Sequence, residues 1–160
     1  MPKSMRSMKI RPSVSFRTER GTSLVEAALI TPLLLLLTFS MVDFASLFYA
    51  YLALESGVSQ ATRYGVTGNL AGVLSREDSI KKAMRDATPT LTIADTAFTF
   101  SYLRPGDNVW RSGAGGPNDI ERVTVNYSWT LLTPLVRPFF PGGKINLAVE
   151  SAMKNEPRFQ

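Results

Sequence analysis

Hydrophobic positions change their spacing several times along this chain. From Ala27 to Val42 they are nearly continuous: AALITPLLLLLTFSMV runs sixteen residues without a formal charge and includes five consecutive leucines, Leu33–Leu37. A helix apolar on every side suits lipid better than a half-exposed soluble core. At ~1.5 Å per residue the uncharged run covers about 24 Å. Adding Thr22 to Val25 lengthens it to a membrane span of about 20 residues, with Glu26 near one interface and Asp43 at the other. Beyond Asp43 the spacing becomes i, i+3, i+4, i+7 through Phe44, Leu47, Phe48, Tyr51, Leu54, Val58 and Ala61, which predicts an apolar stripe on one helix face. One long helix is therefore expected from about Ser23 to about Tyr64, lipid-like in its first half and amphipathic in its second. GVTGN at residues 65–69 ends it, with glycine as the C-cap.

The stretch SREDSIKKAMRDATP predicts a short second helix. Ser75 and Asp78 form a capping-box-like start, Ile80, Ala83, Met84 and Ala87 share a face, and Pro89 stops the run. The period then falls to two. Phe98, Phe100 and Tyr102 alternate with polar residues, as do Val123, Val125, Tyr127, Trp129 and Leu131, and then Ile145, Leu147 and Val149. Each series predicts a strand with one buried face. RPGDNVWRSGAGGPND connects the first two and TPLVRPFFPGG the last two. The expected fold is α+β: a long N-terminal helix, then a small head with one short helix and an antiparallel sheet on which the amphipathic helix packs.

Charge changes the picture at the N-terminus. The net charge of +5 resides in residues 1–20, which hold Lys3, Arg6, Lys9, Arg11, Arg17 and Arg20 against Glu19; the remainder is neutral. A basic tail can bind nucleic acid, but no basic or aromatic patch continues it. Set directly before an apolar run, it reads as a cytoplasmic orientation signal. A soluble core helix and a cleaved secretory signal are the other readings of the run, but no clean small-x-small cleavage site follows it. Pro32 is compatible with a membrane helix.

Candidate chemistry is sparse. The chain has no cysteine and no histidine, which excludes disulfides, Cys/His zinc sites, Cys nucleophiles and Ser-His triads. Asp107, Asp119 and Glu121 bracket the long loop and read as solvated loop charges. GAGG at residues 113–116 carries no phosphate-loop lysine and reads as a turn-rich linker. Trp110 reads as a loop anchor and Trp129 as part of a strand face. Neither an enzymatic activity nor a cofactor or metal is expected.

The segment ERGTSLVEAALITPLLLLL places a carboxylate, Glu26, where an unpaired charge is costly in lipid. It resembles the processing site of pilin-like proteins of the tight-adherence (Flp, type IVb pilus) system, in which a basic leader ends in glycine and a glutamate follows at the fifth mature position. With VEAALITPLLLLL, ALESGVSQATRYG and ESAMKNEP, the longer pattern is similar to the TadE family over residues 20–67 and more weakly over residues 120–157. One departure is that Ala27, not tyrosine, follows the glutamate. That and the length of the chain disfavour the main shaft subunit.

The resemblance implies a minor pseudopilin or pilus-assembly subunit, cut between Gly21 and Thr22 by a prepilin peptidase. Glu26 would pair with the new Thr22 amine or with that of a neighbouring subunit. It implies a leader at 1–21, a membrane and amphipathic helix at 22–64 and an extracytoplasmic head at 65–157. The protein would cross the inner membrane once, N-terminus cytoplasmic and head periplasmic. Its partners would be the peptidase, other pilin-like subunits, inner-membrane Tad components and lipid, and not nucleic acid. The alternative is an unprocessed single-pass anchor with a periplasmic interaction domain.

Overall fold

The computed structural model describes residues 18–68 and 70–157, with the side chains of 18–20 left out; residues 1–17 of the expected leader, including Arg17, and the Arg20 side chain lie outside the described residues. Helix α1 (Thr18–Val66) contains Pro32. The chain divides into two compact units between Thr38 and Phe39. In the first, the α1 side chains Leu24, Leu29, Leu33 and Leu37 are exposed.

The second unit holds the rest of α1, helix α2 (Arg76–Ala87) and strands β1 (Phe98–Leu103), β2 (Arg111–Ser112), β3 (Ile120–Thr130) and β4 (Lys144–Lys154). The strands form one sheet in the order β2-β1-β3-β4. Every neighbour is antiparallel, with Phe100 opposite Val123 and Val125 opposite Val149. The expected α+β architecture is present; the two-residue edge strand β2 is the addition. The long loop folds back on β1 here, through Ser101 opposite Ser112.

Local signals account for the ends of the helices. The turn after α1 closes through Gly68, whose positive φ of 70° suits glycine and whose N–H donates to the Gly65 carbonyl at 3.0 Å. Ser75 caps α2: its hydroxyl oxygen accepts from the Asp78 N–H at 3.2 Å and donates to the Asp78 carboxylate at 2.7 Å.

Leu54 and Val58 of α1, Ile80 and Met84 of α2, and Phe98, Phe100, Val123, Val125 and Val149 of the sheet form one apolar core. The helix face that meets it differs from the predicted stripe. Ala50, Leu54, Val58 and Ala61 are fully buried, whereas Phe44 and Phe48 are exposed and Tyr51 is partly so. Close approach selects the small residues. A Cβ on Gly57 would lie 2.5 Å from Thr88 Cγ2, and one on Gly65 would lie 2.8 Å from Ile80 Cδ1. Large aromatics on that face would hold the helix off, so they turn outward.

Candidate functional site

The residues implicated by sequence lie together at the start of α1. Gly21, Thr22 and Glu26 all fall within the helix. Their i, i+4 separation puts Thr22 and Glu26 on one face, one turn apart. All three are exposed. A Cβ added to Gly21 would meet nothing within 4 Å among the described residues. Gly21 thus contrasts with Gly57 and Gly65, whose hydrogens are needed for packing. A helical glycine costs up to ~1 kcal/mol relative to alanine, and nothing in the described fold requires this one.

Downstream, the Gly21–Val66 stretch is the one described helix long and apolar enough to cross a membrane, and no part of its most apolar window is classed as buried within the protein. Asp43 closes the uncharged run, but it is not a solvated boundary charge: it is only 2% exposed. Its Oδ1 accepts the backbone N–H of Leu132 at 2.7 Å and that of Thr133 at 3.3 Å. The Thr133 hydroxyl donates to its Oδ2. The partners lie 89 and 90 positions away, a separation that no local pattern announces.

A second polar cluster sits at the opposite end of the head helix. Arg76 of α2 donates through Nη2 to Glu121 Oε2 at 2.7 Å, Asn155 Oδ1 at 2.9 Å and the Gly65 carbonyl at 2.9 Å. Its Nη1 reaches the Gly115 carbonyl at 2.8 Å. Asn155 Nδ2 donates to the Gly116 carbonyl at 2.8 Å. One guanidinium therefore joins the end of α1, the start of α2, β3, the GAGG loop and the residue after β4. Burial pushes the Glu121 carboxyl up to about 7, against the opposing pull of the Arg76 charge and hydrogen bond; nearby Glu77 adds a smaller upward push.

The reading of Asp107, Asp119 and Glu121 as solvated loop charges is corrected here. It fits best Asp107, which is partly exposed and pairs with Arg111 at 2.9 Å. Asp119 is buried and accepts the Gly116 N–H at 2.7 Å, closing the turn. Glu121 is fully buried. Its signal was available: Glu121 is in phase with Val123, Val125, Tyr127 and Trp129 on the inward face of β3. Trp110 anchors its loop by stacking under the Arg122 guanidinium, 4.0 Å from the ring centre. Trp129 occupies the inward face of β3 and packs against the core. The GAGG loop is structural: Gly115 has a φ of 70°, and a Cβ there would lie 2.7 Å from Tyr102 Cβ. Among the described residues, no group of three or more acidic side chains is placed to hold a metal ion.

The uncrowded Gly21, the glutamate five residues on and the exposed apolar run that follows are the stretch to compare with known proteins. Residues 21–63 match the family model for TadE-like protein. The matched stretch contains Gly21, Thr22, Glu26, the leucine run and Asp43, and it ends within the buried part of α1. The weaker likeness at residues 120–157 lies outside it. No curated protein and no solved structure matches the chain. Residues 21–63 are thus similar to TadE-like proteins, and they lie in a helix long and apolar enough to cross a membrane.

Proposed function

We propose that this protein is a minor pseudopilin or pilus-assembly subunit of a Tad (Flp) type IV pilus machine, matured by a prepilin peptidase that cuts between Gly21 and Thr22. The observation that carries the reading is Gly21 itself, a glycine without a packing role in the described fold, at the first residue of the TadE-like match. A peptidase cleft supplies the missing reason, because a residue without Cβ lets backbone pass where a side chain would not. The cut would leave an ammonium on Thr22, one helical turn before Glu26. In lipid that carboxylate then favours states in which an amine neutralises it, on its own chain or on a neighbour. The chain is on this reading a substrate and building block without catalysis or cofactor. Its N-terminus is cytoplasmic and its head periplasmic, and its partners are the peptidase, pilin-like subunits and inner-membrane Tad components.

The competing reading is the unprocessed anchor. It draws on the helical backbone at Gly21 and Thr22, since a protease needs that turn opened. The intact mass of the protein extracted from membranes of cells holding the cognate peptidase separates the two. A chain beginning at Thr22 is expected, and Gly21→Trp should abolish the cut. An intact Met1 terminus in those cells would establish the anchor instead.

A further inference from the structure

The loop between β3 and β4 remains unexplained by subunit processing or by the core. It carries Leu132, Leu135 and Phe139 with 54%, 47% and 71% of their surfaces exposed. Three apolar side chains so exposed on one short connection are unusual for a surface facing only water.

We propose that the loop of residues 131–143 is a membrane foot: an apolar, basic segment that rests in the interfacial layer of the leaflet on the head's side. The inference builds on the membrane-anchored reading of α1. Four observations point to lipid as the occupant. The first is depth. Asp43, the residue that ends the uncharged run of α1, receives the Leu132 and Thr133 N–H groups, so the loop is tied to the helix where a span would emerge. Within the same unit, Met41, Val42 and Phe44, which flank Asp43 in sequence, are also exposed, so the helix carries bare apolar side chains at the level of the tie.

The second is backbone satisfaction. Backbone groups that are already bonded within the protein cost less to move toward the hydrocarbon, where water is absent. Here Leu131 N–H donates to the Gly143 carbonyl, Val136 N–H to Thr133, Phe139 N–H to Val136 and Gly143 N–H to Phe140, at 3.0–3.3 Å. Pro134, Pro138 and Pro141 have no N–H to satisfy. The third is charge. Residues 131–149 contain no acidic side chain, while Arg137 and Lys144 are exposed and suit anionic headgroups. The fourth is internal order. Arg137 Nε holds the Leu131 carbonyl at 2.8 Å, and Val136 is buried beneath the loop, so the exposed side chains are presented by a closed turn.

The absence of native cysteine makes site-specific labelling direct. The full chain would be reconstituted in vesicles of phosphatidylethanolamine and phosphatidylglycerol at low protein-to-lipid ratio. Single cysteines at Leu135, Phe139, Leu29 and Ser112 would carry an environment-sensitive fluorophore. The labels at 135 and 139 should emit blue-shifted light and lose most of it to lipids brominated near the headgroup. Leu29 should be quenched by deeply brominated lipid, and Ser112 by neither. Quenching at Leu29 with none at Leu135 and Phe139 would overturn the foot while leaving the span intact. No quenching at Leu29 would overturn the anchored reading and the foot with it. Protection of Phe139 that appears only at high protein-to-lipid ratio would identify a second copy as the occupant and reject lipid.

Discussion

The guanidinium of Arg76 stands 2.7 Å from the fully buried carboxyl of Glu121, so the first turn of α2 is bonded to the inward face of β3. Removing either partner exposes the other to an apolar environment. Arg76→Ala should therefore destabilise the head by ~3–5 kcal/mol, the range for breaking a buried pair from one side. Urea unfolding of the detergent-solubilised chain, followed by fluorescence of Trp110 and Trp129, measures it. An effect no larger than that of an exposed pair such as Lys82–Asp86 would show that the cluster does not hold the head together.

The same carboxyl sets a pH dependence. Its folded-state value, about 7, lies above the ordinary 4.5, so between those values the folded protein binds more protons than the unfolded one. Stability from this group is complete below about pH 4.5 and is lost as pH rises toward 7 and above. Glu121→Gln should flatten that decline when the melting temperature is followed from pH 5 to 8. A decline of the same slope in the variant would assign it to other groups.

Gly57→Ala should destabilise the head even though alanine is the better helix former. The added methyl group would lie 2.5 Å from Thr88 Cγ2. Thr88 is buried and its hydroxyl is engaged with the Met84 carbonyl at 2.8 Å, so it cannot simply rotate away. Overpacking of this kind typically costs ~1–3 kcal/mol, more than the helix-propensity gain of up to ~1 kcal/mol. Gly21→Ala, in open space, should leave head stability unchanged in the same measurement.

Asp43→Ala should release the β3–β4 connection. Several hydrogen bonds to one buried carboxylate are lost, and bonds to a charged group contribute ~1.5–3 kcal/mol each. Amide exchange at Leu132 and Thr133 should accelerate strongly while exchange at Val123 and Val125 in the sheet centre changes far less. Unchanged protection at Leu132 would mean that the turn orders itself without the helix.

Glu26→Ala tests pairing with the Thr22 amine. The leader, Gly21 and the leucine run are untouched, so cleavage and insertion should continue. The amine would then lack its partner among packed apolar helices, a deficit of ~3–5 kcal/mol for an unpaired buried charge. A cleaved, membrane-bound protein that no longer crosslinks to pilin-like partners or supports piliation is expected. Normal assembly by this variant would make Glu26 a bystander.

The chain's periodicities determined much of this by themselves. Sixteen uncharged residues, alternation at Phe98–Tyr102 and Val123–Leu131, and the Ser75 cap each depend on near neighbours in sequence, so the lipid-like segment, the strands and the start of α2 were legible. The Gly21-to-Glu26 spacing is equally local, and it falls in the stretch that matches the TadE-like family model. Tertiary structure decided which helix face is buried. Apolarity marked Phe44 and Phe48 as readily as Leu54 and Val58, but only the packed neighbours Thr88, Met84 and Ile80 select small residues. It also decided the fates of Asp43 and Glu121. A carboxylate looks the same in sequence whether water or protein solvates it; Leu132, Thr133 and Arg76 replace that water only after distant segments have been brought together by the fold.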